Sequence, residues 1–223
     1  MSATNRNLYI FILWQNGRVK ESEFLKDVSQ KFEIFQIYEI TWSEEDFAPA
    51  LARFYGKKLP KGCKKEKETG RGPFLAILFY DNNEVFNEYG NGNVMSAKVT
   101  YRNFLGGNLL HGSDSSVETN ENTLFLFGKN IDEISKESAF LTPKAYRKNI
   151  VGFPCWKDFD EALNIARKCP DTTVNTIKNK ILIETKHFDM LKRLLNAEKC
   201  WWCNRYKITT AKGSYLINLK KLA

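Results

Sequence analysis

Two uninterrupted apolar runs, Leu8 to Trp14 (LYIFILW) and Phe74 to Tyr80 (FLAILFY), constrain this chain more than any other feature. Each has the length of a β-strand, and neither alternates. A strand with one wet face reads apolar-polar-apolar; a run without alternation predicts a strand buried on both faces. The chain must therefore lay helices against both sides of a sheet.

The intervening sequence supplies them. Lys20 to Phe32 places Phe24, Leu25, Val28 and Phe32 at helical spacing. Glu33 to Trp42 alternates through Ile34, Gln36, Tyr38 and Ile40, as a second strand would. Ser43 reads as an N-cap, with Asp46 standing where a capping box has its acid. The helix behind it carries Phe47, Leu51 and Phe54 and stops at Gly56. Asp81-Asn82-Asn83 makes a turn after the third strand, and Glu84 to Tyr89 pairs back. Val94, Ala97, Tyr101 and Phe104 predict a helix over Asn93 to Phe104, and Thr123 to Phe127 (TLFLF), ended by Gly128, predicts a last strand. The order β-α-β-α-β-α-β over the first 128 residues predicts an α/β (α+β) sandwich, better suited to a ferredoxin-like split arrangement than to a large doubly wound sheet.

Lys129 to Asn149 is polar and reads as a connecting helix and linker. Gly152-Phe153-Pro154 reads as a boundary, which divides the chain into residues 1–150 and 151–223. The second part predicts a small α/β module: helix Trp156 to Lys168, strand Lys180 to Glu184, helix Phe188 to Asn196, and strands Arg205 to Thr210 and Ser214 to Leu219 about a Lys212-Gly213 turn.

Charge and cysteines narrow the function classes. The net charge of +8 favours anionic partners. Lys57 to Arg71 concentrates seven cations around Pro60, Gly62 and Gly70, and predicts a mobile cationic lid beside an anion site. It has no interleaved aromatics for base stacking, so nucleic acid is not favoured. No run approaches the ~18 apolar residues of a membrane span, and the apolar run near Met1 lacks a signal-peptide cleavage site, so a soluble, cytoplasmic protein is expected. The five cysteines (63, 155, 169, 200 and 203) are not spaced as a disulfide framework. Cys200 and Cys203 form a single CxxC without the companions of a zinc site, so no metal centre is expected.

One of the two histidines sits in Asn108-Leu109-Leu110-His111-Gly112-Ser113-Asp114-Ser115. A histidine at a bend, followed by glycine and small polar residues, is placed either to turn its ring into an open cleft or to be satisfied by a neighbouring hydroxyl at a strand entry.

This string resembles the active-site signature of nucleoside diphosphate kinases, and the element order of residues 1–128 is similar to that family throughout. The resemblance implies that His111 accepts a phosphoryl group from a magnesium-nucleotide, that Asn108 and Arg102 contact the sugar and phosphates, that Tyr55 supports the site, and that Ser113 belongs to the substrate-binding motif. The chain departs from the family at three places. Trp14-Gln15-Asn16 stands where the family has a phosphate-binding lysine. A second arginine between helix and motif is absent. The glutamate that orients the imidazole aligns with Thr123, leaving Glu118 and Glu121 as candidates. Lys61, Lys64 and Arg71 of the basic segment are candidate replacements for the missing cations.

The tail more faintly resembles the start of a nucleotidyltransferase-like domain of surface-polysaccharide proteins. Its strand Lys180-Ile181-Leu182-Ile183-Glu184 lacks the Asp-x-Asp pair of a two-metal transferase, and Asp158 and Asp160 sit at a predicted helix start, so no metal catalysis is expected. The expected function is binding of a nucleotide or nucleotide-sugar phosphate, with phosphotransfer through His111. The alternatives are a non-catalytic module that holds an anion or a partner chain, and a transferase in glycan assembly. Assembly into an oligomer is compatible with each.

Overall fold

The structure is a computed structural model that describes residues 6–55, 59, 61–138, 148–151, 159–177, 180–195, 197–200, 205–210 and 213–222; at 137, 138, 148–151 and 177 the backbone alone is described. The chain divides into two compact units, residues 1–122 with 134–153, and residues 123–133 with 154–223. The cut therefore falls inside a helix rather than only at the Gly152-Phe153-Pro154 segment, which lies outside the described residues.

The first unit holds β1 (Leu8–Leu13), α1 (Glu21–Lys31), β2 (Glu33–Thr41), α2 (Glu44–Tyr55), α3 (Lys64–Thr69), β3 (Phe74–Tyr80), β4 (Phe86–Asn87), β5 (Gly90–Asn91), α4 (Gly92–Leu105) and β6 (Leu110–Gly112). Next come α5 (Ser116–Phe127), which runs on into the second unit, α6 (Ile131–Ser138) and β7 (Lys148–Val151). Its sheet has the order β6-β1-β3-β2-β7. β1 is antiparallel to both β3 and β6, β2 is antiparallel to β3, and β7 lies parallel to β2. Two β-α-β crossovers thus interleave, each straddling the central strand of the other. Both apolar runs, β1 and β3, lie in the middle, as their lack of alternation demands.

On one face Tyr9, Phe11 and Leu13 of β1 join Phe24 and Val28 of α1 and Val94, Ala97, Tyr101 and Leu105 of α4 in a single core. Phe11 is its hub, with the Phe79 ring at 4.5 Å and the Tyr101 ring edge-on at 5.7 Å. On the other face Trp14 packs with Phe74 at 4.9 Å, and Trp42 with Phe47 of α2 at 5.5 Å.

Several expectations are corrected. The basic segment carries α3, whose Glu66 and Thr69 are buried; it is not the loop that its glycines suggested. Glu84 to Tyr89 does not return to the large sheet, because β4 pairs only with β5. Thr123 to Phe127 is not a strand but the last part of α5. A five-residue apolar run cannot by itself separate a strand from a buried helix end. Gly128 terminates it as the left-handed residue after a helix, with φ +65 and its N–H on the Leu124 carbonyl. Part of the expected linker is β7, which extends the sheet beyond β2.

The second unit adds α7 (Phe159–Lys168), β8 (Thr172–Ile177), β9 (Lys180–Thr185), α8 (Phe188–Leu194), β10 (Glu198–Lys199), β11 (Tyr206–Thr210) and β12 (Gly213–Lys221). Its sheet has the order β10-β11-β12-β9-β8, with β12 and β9 parallel and the other pairs antiparallel. Strand β8 has no counterpart in the expected elements, since Thr-Thr-Val-Asn-Thr-Ile carries little apolar signal. Asp160 opens α7, whereas Asp158 lies outside the described residues.

Candidate functional site

The site forms where β6 meets α2, α3, α4 and α5 within the first unit. Leu110 of β6 points into the Phe11 core, so the pleat turns His111, paired with Ile12, to the opposite face. There the ring sits edge-on to Phe54, with centroids 5.4 Å apart, and to Tyr55 at 6.0 Å. Its side chain is only 12% exposed.

The residues after His111 are the small ones that this geometry needs. A Cβ on Gly112 would stand 2.7 Å from the Phe11 ring. The Ser113 hydroxyl accepts from the Ile10 N–H at 3.2 Å and shares a bond with Thr119 Oγ1 at 2.6 Å. Ser113 is fully buried, so it joins β6 to β1 and α5 and does not face a ligand space. Asp114 takes the Lys98 ammonium at 2.6 Å and accepts from the Asn91 N–H through its carbonyl. Ser115 caps α5, its Oγ accepting from the Glu118 N–H at 3.2 Å.

That cap aims α5 at the imidazole. Glu118 and Asn122, one helical turn apart, both reach Nε2: the Asn122 amide at 3.2 Å and Glu118 Oε1 at 3.6 Å. Among the described residues Nδ1 has no hydrogen-bond partner. Burial pushes the imidazole down to about 3, helped by the cations Lys98, Arg102 and Lys65, so the ring is neutral at pH 7. Burial, with Asp114 next, pushes Glu118 up to about 7 against the pull of Lys98.

Arg102 of α4 donates through Nε to the Leu110 carbonyl at 3.1 Å and has no carboxylate ion pair among the described residues. Together with Val99, Asn103, Gly106, Gly107 and Asn108 it lines a cavity of about 490 Å³. Tyr55 accepts from Trp14 Nε1 at 3.2 Å, and burial pushes its hydroxyl up to about 12.

The basic segment contributes Lys65. Its ammonium lies 2.9 Å from the Asn108 carbonyl and 4.9 Å from the Tyr55 ring centre, and burial lowers its pKa. The expected replacements stand elsewhere. Lys61 and Lys64 are exposed, with no ion pair among the described residues. Arg71 is engaged by Glu44 at 2.7 Å and by the buried Glu66 at 2.8 Å. Lys65 is delivered because Gln15 and Asn16, which follow β1, fasten the end of α3. Gln15 accepts from the Gly72 N–H at 2.7 Å, and Asn16 donates to the Lys67 and Glu68 carbonyls at 3.1 and 2.9 Å.

The structure thus brings His111, Asn108, Arg102, Tyr55 and the candidate Glu118 into one neighbourhood and adds Lys65, Glu68 and Asn122. Asn122 becomes a candidate from sequence only once residues 116–127 are taken as helical, four residues beyond Glu118. Among the described residues no group of three or more His, Cys, Asp or Glu is placed to hold a metal ion. Cys63 is a half-buried free thiol, Cys169 and Cys200 are buried, and Cys155 and Cys203 lie outside the described residues. No helix among the described residues is long and apolar enough to cross a membrane. No protein-family model matches the chain, and no curated protein matches it.

Proposed function

We propose that the first unit binds the phosphates of a nucleotide or nucleotide sugar and that His111 is its phosphoryl acceptor. One observation carries this reading: a neutral imidazole, held at Nε2 by α5 and unengaged at Nδ1 among the described residues, in the electrostatic reach of Lys65 and Arg102. The interleaved crossovers of the sheet have the strand order of a ferredoxin-like fold, which supports the kinase-type reading of this unit.

In the step proposed, the Nδ1 lone pair attacks the terminal phosphorus. The N–P bond forms as the P–O bond to the leaving nucleotide breaks, and that oxygen keeps the electron pair. The imidazole must carry its remaining proton on Nε2, where ionised Glu118 or the Asn122 carbonyl accepts it. Lys65 and Arg102 supply the positive charge that phosphoryl transfer requires.

A second reading, a non-catalytic phosphate-binding module, draws on the Asn122 amide. As oriented, its Nδ2 donates to Nε2, which fixes the proton on Nδ1 and removes the nucleophile. Incubation with terminally labelled ATP separates the two. Phosphotransfer gives an acid-labile label that is lost in His111→Ala and whose uptake rises through pH about 7 as Glu118 ionises. A protein that takes no label refutes the transfer reading.

A further inference from the structure

Glu68 is the one carboxylate among the described residues that reaches into the cationic side of this site. Its Oε1 accepts from the Asn108 N–H at 3.1 Å, and its Oε2 takes the Lys65 ammonium at 3.3 Å. The same Oε1 lies beside Gly107, in ordinary contact range of where a Cβ would stand, 3.5 Å away. Gly107, Asn108 and Arg102 are lining residues of the 490 Å³ cavity. A backbone N–H and an ammonium are what a phosphate oxygen would use. The structure fills that position with its own carboxylate, and the Glu68 side chain remains 29% exposed, so it has solvent to swing into.

We propose that Glu68 is a built-in competitor for the anion: it occupies the phosphate position in the ligand-free protein, and a phosphate ligand binds by displacing it from Lys65 and the Asn108 N–H. This rests on the reading that the site takes a phosphate. The exchange gives the backbone N–H of Asn108 and the ammonium of Lys65 an anionic acceptor in both states. It also sets a threshold. A weakly charged anion gains little over Glu68, whereas a multiply charged phosphate outcompetes it. Adenosine diphosphate should therefore bind more tightly than inorganic phosphate, and both more tightly than chloride.

The test is calorimetric titration of the whole chain with inorganic phosphate, comparing wild type, Glu68→Gln and Glu45→Gln. Glutamine keeps an oxygen for the Asn108 N–H and removes the charge, whereas Glu45 is an exposed residue of α2. Glu68→Gln should bind phosphate about tenfold tighter, from one like charge removed at close range, with Glu45→Gln unchanged and the gain lost when Lys65→Met is added. Equal or weaker binding by Glu68→Gln, or no phosphate binding by either protein, overturns the proposal. If Glu68→Gln does not fold, the wild-type amide spectrum decides: phosphate must shift the Asn108 N–H, and an unmoved Asn108 resonance overturns it. Tighter phosphate binding without a label on His111 leaves the competitor standing and removes phosphotransfer. A label with unchanged affinity does the reverse.

Discussion

Replacing Gly112 by alanine adds one methyl group at the most crowded point behind the site. That methyl would lie 2.7 and 2.9 Å from Phe11 Cδ1 and Cε1 and 3.3 Å from Lys98 Cδ. Carbon atoms prefer about 3.5 to 4.0 Å, so ring and strand must separate by about 1 Å. Phe11 has nowhere to go, since it is fully buried with Phe79, Tyr101, Phe32 and Phe24 around it. Gly112 does not have a positive φ, so the backbone accepts alanine and the cost is packing alone. Overpacking of this kind costs about 1–3 kcal/mol, offset in part by the ~0.4–1 kcal/mol that an alanine gains from a less flexible unfolded chain. Urea unfolding followed by tryptophan fluorescence, in a background with Trp156, Trp201 and Trp202 replaced by phenylalanine, reads the first unit through Trp14 and Trp42, both buried. A midpoint shift equivalent to about 1–2 kcal/mol is expected. The relief route is outward movement of β6, so the contacts of Asn122 and Glu118 with His111 should loosen as well, visible in the imidazole resonances. An alanine variant as stable as wild type, with those resonances unmoved, would refute the packing argument.

Two further outcomes follow from the same geometry. The His111 imidazole, pushed down to about 3, takes up its proton in the unfolded chain first, so its contribution to stability is complete above about 6.5 and is lost as pH falls from there toward 3, by at most ~1.4 kcal/mol per pH unit. Glu118, pushed up to about 7, works in the opposite direction: stability present below about 4.5 is lost as pH rises through 7, discounted because its side chain is 39% exposed. Denaturation at pH 7, 6 and 5 should show His111→Gln gaining on wild type with acidification, and a constant gap between the two would count against a buried neutral ring. Ser115→Ala should cost about 0.5–2 kcal/mol through the lost α5 cap, restored by Ser115→Asp, and should raise the His111 pKa as α5 loosens; a melting temperature unchanged from wild type rejects the capping role.

Much of the first unit was legible in the residues because its strongest signals are local. Unalternating LYIFILW and FLAILFY have the length and β-branched and aromatic content of central strands, and Phe24, Val28, Val94, Ala97 and Tyr101 announced the helices that cover one face. Ser43 caps α2, its Oγ accepting from the Asp46 N–H at 3.1 Å. The reciprocal bond of a capping box is absent, because the Asp46 carboxylate takes the Ser43 hydroxyl itself. The misread segments are those whose local signal is shared by two structures. Thr123 to Phe127 is apolar enough for either element, and Gly128 ends a strand or a helix equally well. The glycines of the basic segment flank α3 rather than break it, because Gln15 and Asn16, distant in sequence, hold its end.

Spacing thus determined that this chain has a sheet covered on both faces, and composition determined that its surface is basic. Only the tertiary structure decided which cation of the basic segment reaches Asn108 and Tyr55. Lys61, Lys64, Lys65 and Arg71 are equivalent in a list of charges, and they differ because a buried Glu66 claims Arg71 while the helical turn carries Lys65 toward Asn108 and Tyr55. Likewise no local pattern marks Asn122 as the partner of His111 or Glu68 as that of Asn108. Those pairings join residues 11 and 40 positions apart, and the energy that selects them is packing across the sheet.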